Sequence, residues 1–244
     1  MTHLFNREMI VISLNSDLSS EELILKEIHK HLFIYSTTNL KAVKKQINIE
    51  HYVEYLDSFL FVLPEDYSSQ SIIWEDFYSR YADSFESIID IGHNILCIKK
   101  IYALIQKTMN ISSRTKVLDF GCGSGLAIHL NAECDLIGYE PNEKMRKQAR
   151  AKGMKVLDAN QICMLPDNSI DAVFSSYVFH MGIKEHDIEL LRRIIRQDGM
   201  IVANFYKNMN CLVVNDIFAC MGFSVTKINE FDERFGSVYE YRKK

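Results

Sequence analysis

The feature that most constrains the fold of this chain is an apolar stretch that runs directly into three closely spaced glycines. Val117-Leu118-Asp119-Phe120 has the pattern of a buried strand, and Gly121, Gly123 and Gly125 follow it. Glycine adopts positive φ angles at little cost, so this run predicts a tight turn that leads from a strand into a helix. In α/β proteins such a turn lets the backbone approach a ligand at the carboxyl end of the strand.

The chain after Lys116 alternates apolar strands with amphipathic helices, a pattern typical of βαβ units and a mainly parallel sheet. The expected parallel strands cover residues 117–120, 135–140, 154–157, 170–174 and 200–205. Two further strands, 224–228 and 237–241, lie close together and indicate an antiparallel finish. We therefore expect a doubly wound, Rossmann-like α/β fold with a seven-stranded, mainly parallel sheet.

The earlier part of the chain differs from the later part in glycine content, because all ten glycines fall at Gly92 or later. A long segment without glycine favours helices joined by simple turns. Residues 19–33 and 49–63 carry apolar side chains at helical spacing. We therefore expect an N-terminal helical extension at residues 1–72 and a ligand-binding domain at residues 73–244.

Composition and charge exclude several classes of protein. The net charge is −4 and the pI is about 6.1, so the sequence does not favour a nucleic-acid partner. None of the six cysteines forms a C-x-x-C pair and no histidine stands near them at ligand spacing, so we expect no metal site. The chain starts without a signal-peptide pattern and lacks the ~20-residue apolar run that crosses a membrane. These features predict a cytoplasmic protein with reduced thiols and no membrane partner.

Two acidic residues limit the classes of ligand that the glycine-rich turn could bind. A dinucleotide fingerprint would place its third glycine at Leu126, whereas here the third glycine is Gly125. Asp119 precedes the turn, where it would repel a pyrophosphate but suits a ligand with an ammonium group and a sulfonium centre. Glu140 ends the next strand, where an acidic side chain accepts hydrogen bonds from ribose hydroxyls. Alternatively, Asp119 only caps the turn and Glu140 is an ordinary surface acid.

In these features the chain resembles the class I S-adenosylmethionine (SAM)-dependent methyltransferases, in particular those that act on small molecules. The resemblance runs from about Trp74 to the end of the chain and includes, in order, the segments 81–86, 117–125, 138–141, 157–159 and 165–173. Two departures concern the acceptor side. Gly199 is a single glycine where the family often has two, and His180 stands alone where a pair of histidines is common.

The resemblance implies SAM as the cofactor and assigns residues to it. Glu140 would bind the ribose, Asp158 would accept a hydrogen bond from the adenine amino group, and the backbone of Ala159 would face the adenine ring. For Asp158 the alternative is a helix N-cap, and Cys122 fills the turn rather than acting as a nucleophile. The implied cofactor-binding residues are Asp119, Gly121, Cys122, Gly123, Glu140, Pro141, Asp158, Ala159, Ser175 and Tyr81.

Tyr177 and His180 follow the strand at 170–174, where the acceptor of the methyl group would bind. His180 could act as a general base, because an imidazole ordinarily titrates near pH 6.5. Tyr177 could assist in the same catalytic role. The alternative for both side chains is that they line the pocket or serve packing only.

The resemblance predicts direct displacement of a methyl group from SAM onto an oxygen or nitrogen atom of a small-molecule acceptor, by a monomer or a homodimer. Two alternatives stay open. One is a methyltransferase that acts on a macromolecule, either protein or RNA. The other is a protein of the same fold that uses or binds SAM without methyl transfer, for example by SAM cyclisation.

An aromatic stripe precedes the family segments. Trp74, Tyr78, Tyr81 and Phe85 recur on one face at helical spacing. The stripe either packs a helix or forms a lid over the cofactor. The residues before it, in which 9–12 resemble a short strand, either cap the acceptor side or serve as an interaction or dimerisation arm.

Overall fold

The computed structural model describes residues 9–14, 18, 20–46, 52–56, 58–64 and 66–244. The chain forms two compact units, Met1–Ile88 and Ile89–Lys244. The boundary lies later than the expected division after residue 72, because that position falls within a helix that packs on a strand of the first unit. No helix in the described part of the chain is long and apolar enough to cross a membrane.

The first unit contains a five-stranded mixed sheet. Its strands are β1 (Met9–Ser13), β2 (Ile24–His29), β3 (Leu32–Thr37), β4 (Tyr52–Tyr55) and β5 (Phe59–Val62). Its helices are α1 (Leu40–Gln46), α2 (Tyr67–Tyr81) and α3 (Phe85–Ile88), with a 3₁₀ turn at Ala82–Ser84. The strand order is β2-β3-β1-β5-β4, in which β1 and β5 are parallel and the other neighbours are antiparallel.

The expected helical extension is therefore wrong, whereas the short strand expected at 9–12 is confirmed as part of β1. Most described residues of 19–33 and 49–63 belong to strands, and residues 19, 49–51 and 57 lie outside the described residues. The physical reason lies in the connections. Lys30 after β2 and Leu56 after β4 have φ angles of 52° and 51°, in the left-handed region that usually selects glycine. The lack of glycine therefore does not exclude hairpins in this unit.

The aromatic stripe packs on the sheet of its own unit. Trp74 is buried, and its ring centroid lies 4.4 Å from that of Phe61 on β5. The Tyr81 ring lies 5.3 Å from that of Phe59 on the same strand. Phe85 begins the separate helix α3, so the stripe is not one continuous helix. These contacts support the packing interpretation of the stripe.

The second unit contains the expected seven-stranded sheet. Its strands are β6 (Lys116–Phe120), β7 (Asp135–Tyr139), β8 (Lys155–Leu157), β9 (Ile170–Ser175), β10 (Ile195–Phe205), β11 (Phe223–Ile228) and β12 (Ser237–Lys243). Their order is β11-β12-β10-β9-β6-β7-β8. Strands β6 to β10 run parallel, and β12 pairs antiparallel with β10 and β11. The Rossmann-like fold with an antiparallel finish is confirmed.

The helices of this unit flank the sheet and leave its carboxyl edge to loops. They are α4 (Ile91–Thr108), α5 (Glu143–Ala151), α6 (Ala159–Cys163), α7 (Glu185–Ile194) and α8 (Cys211–Cys220). The helix expected after the glycine-rich turn is only a short 3₁₀ helix at Leu126–Leu130. Strand β6 lies between β7 and β9, so the strand order reverses beside it. Ligands of open α/β sheets bind at the carboxyl ends of strands next to such a reversal.

Candidate functional site

The glycine-rich turn ties the ends of two parallel strands together. The backbone N–H groups of Gly121 and Cys122 donate to the carbonyl oxygen of Tyr139, over 2.8 and 2.9 Å. Gly121, Gly123 and Gly125 have φ angles of 80°, 54° and 85°. The sequence pattern of alternate glycines therefore produces the sharp turn that it predicts at the end of β6.

Close neighbours explain why two of these positions need glycine. A Cβ atom on Gly121 would lie 2.4 Å from Cγ2 of Val178, and one on Gly125 would lie 2.7 Å from Cβ of Ala149. Real carbon atoms do not approach so closely without displacement. The turn is thus wedged between the loop after β9 and helix α5.

Glu140 is held at the end of β7 by backbone donors. Its Oε2 accepts from the N–H of Gly123 over 2.9 Å, and its Oε1 accepts from the N–H of Asn142 over 2.8 Å. Only 7% of the residue is exposed, so the surface-acid alternative is wrong. Burial raises the pKa of Glu140 to about 7, against the opposing effect of these two hydrogen bonds and of Arg146.

Asp119 is a second buried carboxyl group at the same edge of the sheet. It is 3% exposed, and its pKa is raised well above the usual value. Burial is the larger cause, and the nearby negative charge of Glu140 is the smaller one. Two buried carboxyl groups that disfavour each other's ionisation gain from a cationic ligand or from hydroxyl donors. SAM carries both, as an amino-acid ammonium and a sulfonium centre together with ribose hydroxyls. The residues at the ends of β6 and β7 therefore fit this cofactor.

Asp158 caps helix α6. Its Oδ1 accepts from the N–H groups of Asn160 and Gln161 over 3.0 and 2.9 Å, and Gln161 Oε1 accepts from the N–H of Asp158 over 3.1 Å. This reciprocal arrangement is a capping box. The N-cap alternative is therefore present in the structure, while the proposed contacts of Asp158 and Ala159 with adenine stay predictions. Pro141 is exposed just before α5.

Ser175 and Cys122 support the site from within the fold. Ser175 is fully buried, and its hydroxyl donates to the carbonyl oxygen of Phe120 over 2.8 Å, which joins the ends of β9 and β6. The Cys122 thiol packs where a Cβ on Gly138 would lie 2.6 Å from its sulfur. Burial, together with the charges of Asp119 and Glu140, raises the pKa of this thiol, so it stays protonated. The filler interpretation of Cys122 agrees with these contacts.

Tyr81 lies in the first unit at the end of α2. Burial raises the pKa of its hydroxyl, and its ring packs on Phe59 and Phe77 at 5.3 and 4.9 Å. Its assignment to the cofactor stays a prediction. All the other expected cofactor residues lie in the second unit.

His180 lies in a short 3₁₀ helix after β9, and the structure argues against its use as a general base. The residue is fully buried, and burial lowers the pKa of the imidazole to about 3. A group with so low a pKa is a weak proton acceptor at neutral pH. Its carbonyl oxygen accepts from Asn210 Nδ2 over 2.8 Å, which fixes the start of α8.

Tyr177 is half-buried beside a histidine that sequence reasoning missed. Its hydroxyl oxygen lies 3.0 Å from Nε2 of His93, in the first turn of α4. The backbone N–H of Tyr177 donates to Oδ1 of Asn204 at the end of β10, over 2.8 Å. His93 and Asn204 are far from Tyr177 in sequence and belong to no family segment quoted above. No local pattern could have linked them, because the contact depends on how α4 packs against the sheet.

Comparison with known proteins adds independent support. Residues 118–203 match the family model described as a methyltransferase domain. The chain is 28% identical over 181 residues to an uncharacterized methyltransferase of Schizosaccharomyces pombe, a match that covers 66% of this chain and 68% of the relative. It is 30% identical over 135 residues to an uncharacterized methyltransferase of Bacillus pumilus, covering 51% of this chain and 63% of the relative.

Two solved structures show the same fold. One is a SAM-dependent methyltransferase from Thermotoga maritima described as a possible histamine N-methyltransferase, with a TM-score of 0.51, 18% identity, and coverage of 70% of this chain and 100% of that one. The other is magnesium protoporphyrin IX methyltransferase from Synechocystis PCC 6803 with bound SAM, with a TM-score of 0.52, 17% identity, and coverage of 72% and 97%. At these identities the likeness concerns the fold alone.

A reversal in strand order, a glycine-rich turn after β6 and buried carboxyl groups on β6 and after β7 define a class I SAM-binding domain. Residues 118–203 match the methyltransferase-domain model, and the chain is similar to methyltransferases over a wider stretch. The second unit therefore contains a SAM-dependent methyltransferase domain, and its cofactor is SAM.

Proposed function

We propose that this enzyme methylates an oxygen or nitrogen atom of a small-molecule acceptor. The observation that carries the proposal is the half-buried His93–Tyr177 contact at the carboxyl edge of the sheet. Val178, the next residue, packs on Gly121 of the cofactor turn. A polar pair beside the cofactor turn, among the aromatic rings of Tyr206 and Phe235, suits a small, partly apolar acceptor.

SAM supplies an activated methyl group, so the protein's own contribution is binding, alignment and exclusion of water. Glu140 would hold the ribose hydroxyls, and Asp119 would face the ammonium group. The backbone of the glycine-rich turn would lie against the amino-acid part. Asp158, Ala159, Pro141, Ser175 and Tyr81 complete the proposed cofactor site.

The net charge of −4 also supports a small acceptor over RNA, which usually needs a basic surface. The names of the two fold neighbours refer to small-molecule acceptors, histamine and magnesium protoporphyrin IX. The proposal here does not extend to either compound. A macromolecular acceptor and a reaction of SAM without methyl transfer remain the competing functions.

One labelling experiment separates these functions. The purified chain is incubated with methyl-labelled SAM and, in parallel, with a low-molecular-weight cell fraction, a protein fraction, an RNA fraction and buffer alone. We expect labelled product only with the low-molecular-weight fraction, and none with a Glu140→Ala control. Label in protein or RNA would contradict the proposal. Consumption of SAM in buffer alone, with a product other than S-adenosylhomocysteine, would identify the third function.

The role of the first unit is also a proposal. It either covers the acceptor side of the second unit or provides an interaction or dimerisation arm, and its strands are compatible with both. A cytoplasmic location and a monomeric or homodimeric state belong to the same proposal. Light scattering of the purified full-length chain measures its mass, and a state larger than a dimer would contradict the last point.

A further inference from the structure

A closed set of contacts surrounds Tyr177 in the second unit. Its hydroxyl lies 3.0 Å from His93 Nε2, and its N–H donates to Asn204 Oδ1. Asn204 Nδ2 donates in turn to the carbonyl oxygen of Phe235 over 2.8 Å. The Phe235 ring lies 4.6 Å from the ring of His93, which closes the set. Residues from four separate segments thus hold one phenol against one imidazole.

The backbone of Tyr177 indicates that this placement is enforced by its surroundings. Its φ angle is 59°, in the left-handed region that a bulky side chain rarely adopts. Such conformations persist where neighbouring contacts over-determine them. The amide of Asn204 supplies these contacts, because it is fully buried and bonded at both ends.

The pair lies beside the cofactor turn. Ser175, two residues before Tyr177, bonds to the end of β6, and Val178, one residue after it, packs on Gly121. On α4, Cys97 is one helical turn from His93, and its sulfur lies 3.7 Å from the hydroxyl oxygen of Ser176. The same face of α4 therefore meets the loop at two points, which fixes the imidazole relative to the cofactor turn.

We propose that His93 and Tyr177 together remove the proton from a hydroxyl group of the acceptor, an inference that rests on the proposed function. The acceptor oxygen gives its proton to Tyr177 Oη, while the phenol proton of Tyr177 passes to His93 Nε2. The acceptor oxygen keeps the electron pair of its O–H bond for the new bond to the methyl carbon, while the bond from that carbon to the SAM sulfur breaks. The electron pair of the broken bond stays on sulfur, so that S-adenosylhomocysteine leaves. His93 ends as an imidazolium and, being half-buried, returns the proton to solvent.

The assignment gives three residues distinct roles. His93 and Tyr177 form the proton-accepting pair, and Asn204 is a positioning residue that sets the Tyr177 backbone. Other ionisable groups near the pair include the Cys97 thiol, which also interacts with the Tyr177 side chain and whose pKa is raised by burial. Asp90 Oδ1 accepts from the N–H of His93 over 2.9 Å, and Arg234 lies 5.7 Å over the Phe235 ring. All three remain in every variant proposed below.

NMR of full-length protein with ¹⁵N-labelled histidine tests the pair without any acceptor. A phenol that donates to Nε2 favours the neutral imidazole tautomer with its proton on Nδ1. Under conditions where imidazoles are neutral, Tyr177→Phe should therefore move the His93 Nε2 resonance towards that of a protonated ring nitrogen. His93→Gln assigns the signal, and Tyr239→Phe, on β12, is the matched control and should leave the His93 resonances unchanged. Unchanged His93 resonances in Tyr177→Phe would overturn the proton-accepting pair.

Kinetics on the acceptor found by the labelling experiment tests the hydroxyl assignment. His93→Gln should lower kcat by about 100-fold, with the acceptor KM changed less than about threefold. Binding of S-adenosylhomocysteine, measured by calorimetry, should be unaffected. A kcat within about threefold of wild type would overturn the inference.

The two proposals fail in different ways. Label that appears only in protein or RNA refutes the small-molecule function, whereas the NMR measurement still decides whether Tyr177 donates to His93. A small-molecule acceptor labelled on nitrogen keeps the proposed function and overturns the hydroxyl assignment. Asn204→Ala should lower kcat through Tyr177 and move the His93 ring resonances in the same direction as Tyr177→Phe.

Discussion

Glu140 combines burial with two backbone hydrogen bonds, and this combination makes it a sensitive probe of the cofactor site at the residue scale. A buried carboxylate that accepts from ribose hydroxyls forms charge-assisted bonds, each stronger than a bond between neutral groups. Its neighbour Glu143 is exposed on α5 and pairs with Lys147 instead. The two glutamates therefore share a local sequence but should differ completely in their effect on the cofactor.

Glu140→Ala should weaken binding of S-adenosylhomocysteine at least tenfold. The loss of up to two charge-assisted hydrogen bonds, each of about 1.5–3 kcal/mol and partly replaced by water, accounts for this size. Calorimetry with the folded variant measures the change. Glu143→Ala serves as the control and should bind like the wild type. Equal affinity in wild type and Glu140→Ala would remove the ribose role.

The raised pKa of Glu140 has a consequence for stability. A carboxyl group whose pKa is about 7 in the folded protein and ordinarily 4.5 binds its proton more tightly when folded. It therefore stabilises the fold at low pH, and this contribution is lost as the pH rises through 7. The pKa of Asp119 is displaced in the same direction. Without cofactor, the contribution of Glu140 to the free energy of unfolding should therefore fall by up to about 3 kcal/mol as the pH rises from about 4.5 to about 7.

Urea unfolding between about pH 5 and pH 8 measures this fall. Glu140→Gln cannot titrate, so the difference between wild type and variant isolates the glutamate. We expect the stability of the variant to depend less on pH over this window. Parallel curves for the two proteins would show that Glu140 has an ordinary pKa in the folded state.

At the scale of elements, the glycine-rich turn is the part of the site with least tolerance. Gly121→Ala would put a methyl group 2.4 Å from Val178 at a φ of 80°. We expect a loss of stability of about 2–3 kcal/mol and a large loss of cofactor affinity, because strain and overlap both displace the turn. Gly153→Ala is the matched control, since its φ is 90° but no atom of the described residues lies within 4 Å of the added carbon.

Thermal unfolding and calorimetry of the two glycine variants separate the cost of a positive φ from the effect of overlap with Val178. Gly153→Ala should cost about 1–2 kcal/mol from its positive φ alone and keep full affinity for S-adenosylhomocysteine. If Gly121→Ala lost no more stability than Gly153→Ala and kept the same affinity for S-adenosylhomocysteine, the close packing of Val178 on the turn would have no role in cofactor binding.

Elements of the second unit could be predicted because their signals are local. Buried parallel strands read as apolar runs, and glycines mark the turns between them. In the first unit the signals conflict. Ile24 and Ile28 have helical spacing, yet they lie exposed on β2, and the chain reverses at Lys30 without glycine. Pairing with β3 overrides the helical pattern there, and such long-range pairing has no local signature.

The site divides in the same way. Asp119, Glu140 and the glycines between them belong to contiguous motifs, so the sequence predicted that they contribute to one ligand site, but it did not predict the burial of the two carboxyl groups. The His93–Tyr177 contact depends on the packing of α4 against the loop after β9, which no spacing along the chain encodes. His180 was expected at the acceptor on position alone, and its complete burial could be known only from the packed structure.

At the scale of the whole molecule, the two compact units predict separable roles. Residues 89–244 contain the complete seven-stranded sheet and every expected cofactor residue except Tyr81. This fragment should fold and bind S-adenosylhomocysteine within about threefold of the full chain if the second unit alone makes the cofactor site. Circular dichroism checks the fold and calorimetry checks binding.

Tyr81→Phe in the full-length chain is the control for this fragment. A folded fragment with much weaker binding, together with weak binding by Tyr81→Phe, would assign Tyr81 to the cofactor as the family resemblance implies. Weak binding by the fragment alone would assign the missing affinity to other residues of the first unit.

The bond between Ser175 and Phe120 joins positions 55 residues apart in the chain. Contacts of such long range are slow to form, because the intervening segment must first be ordered. The cofactor site lies at this junction, so we expect it to be among the later parts of the second unit to assemble. A ligand of this site can therefore make few contacts with the chain before folding is nearly complete. Bound cofactor should therefore extend the lifetime of the native protein far more than it hastens its folding.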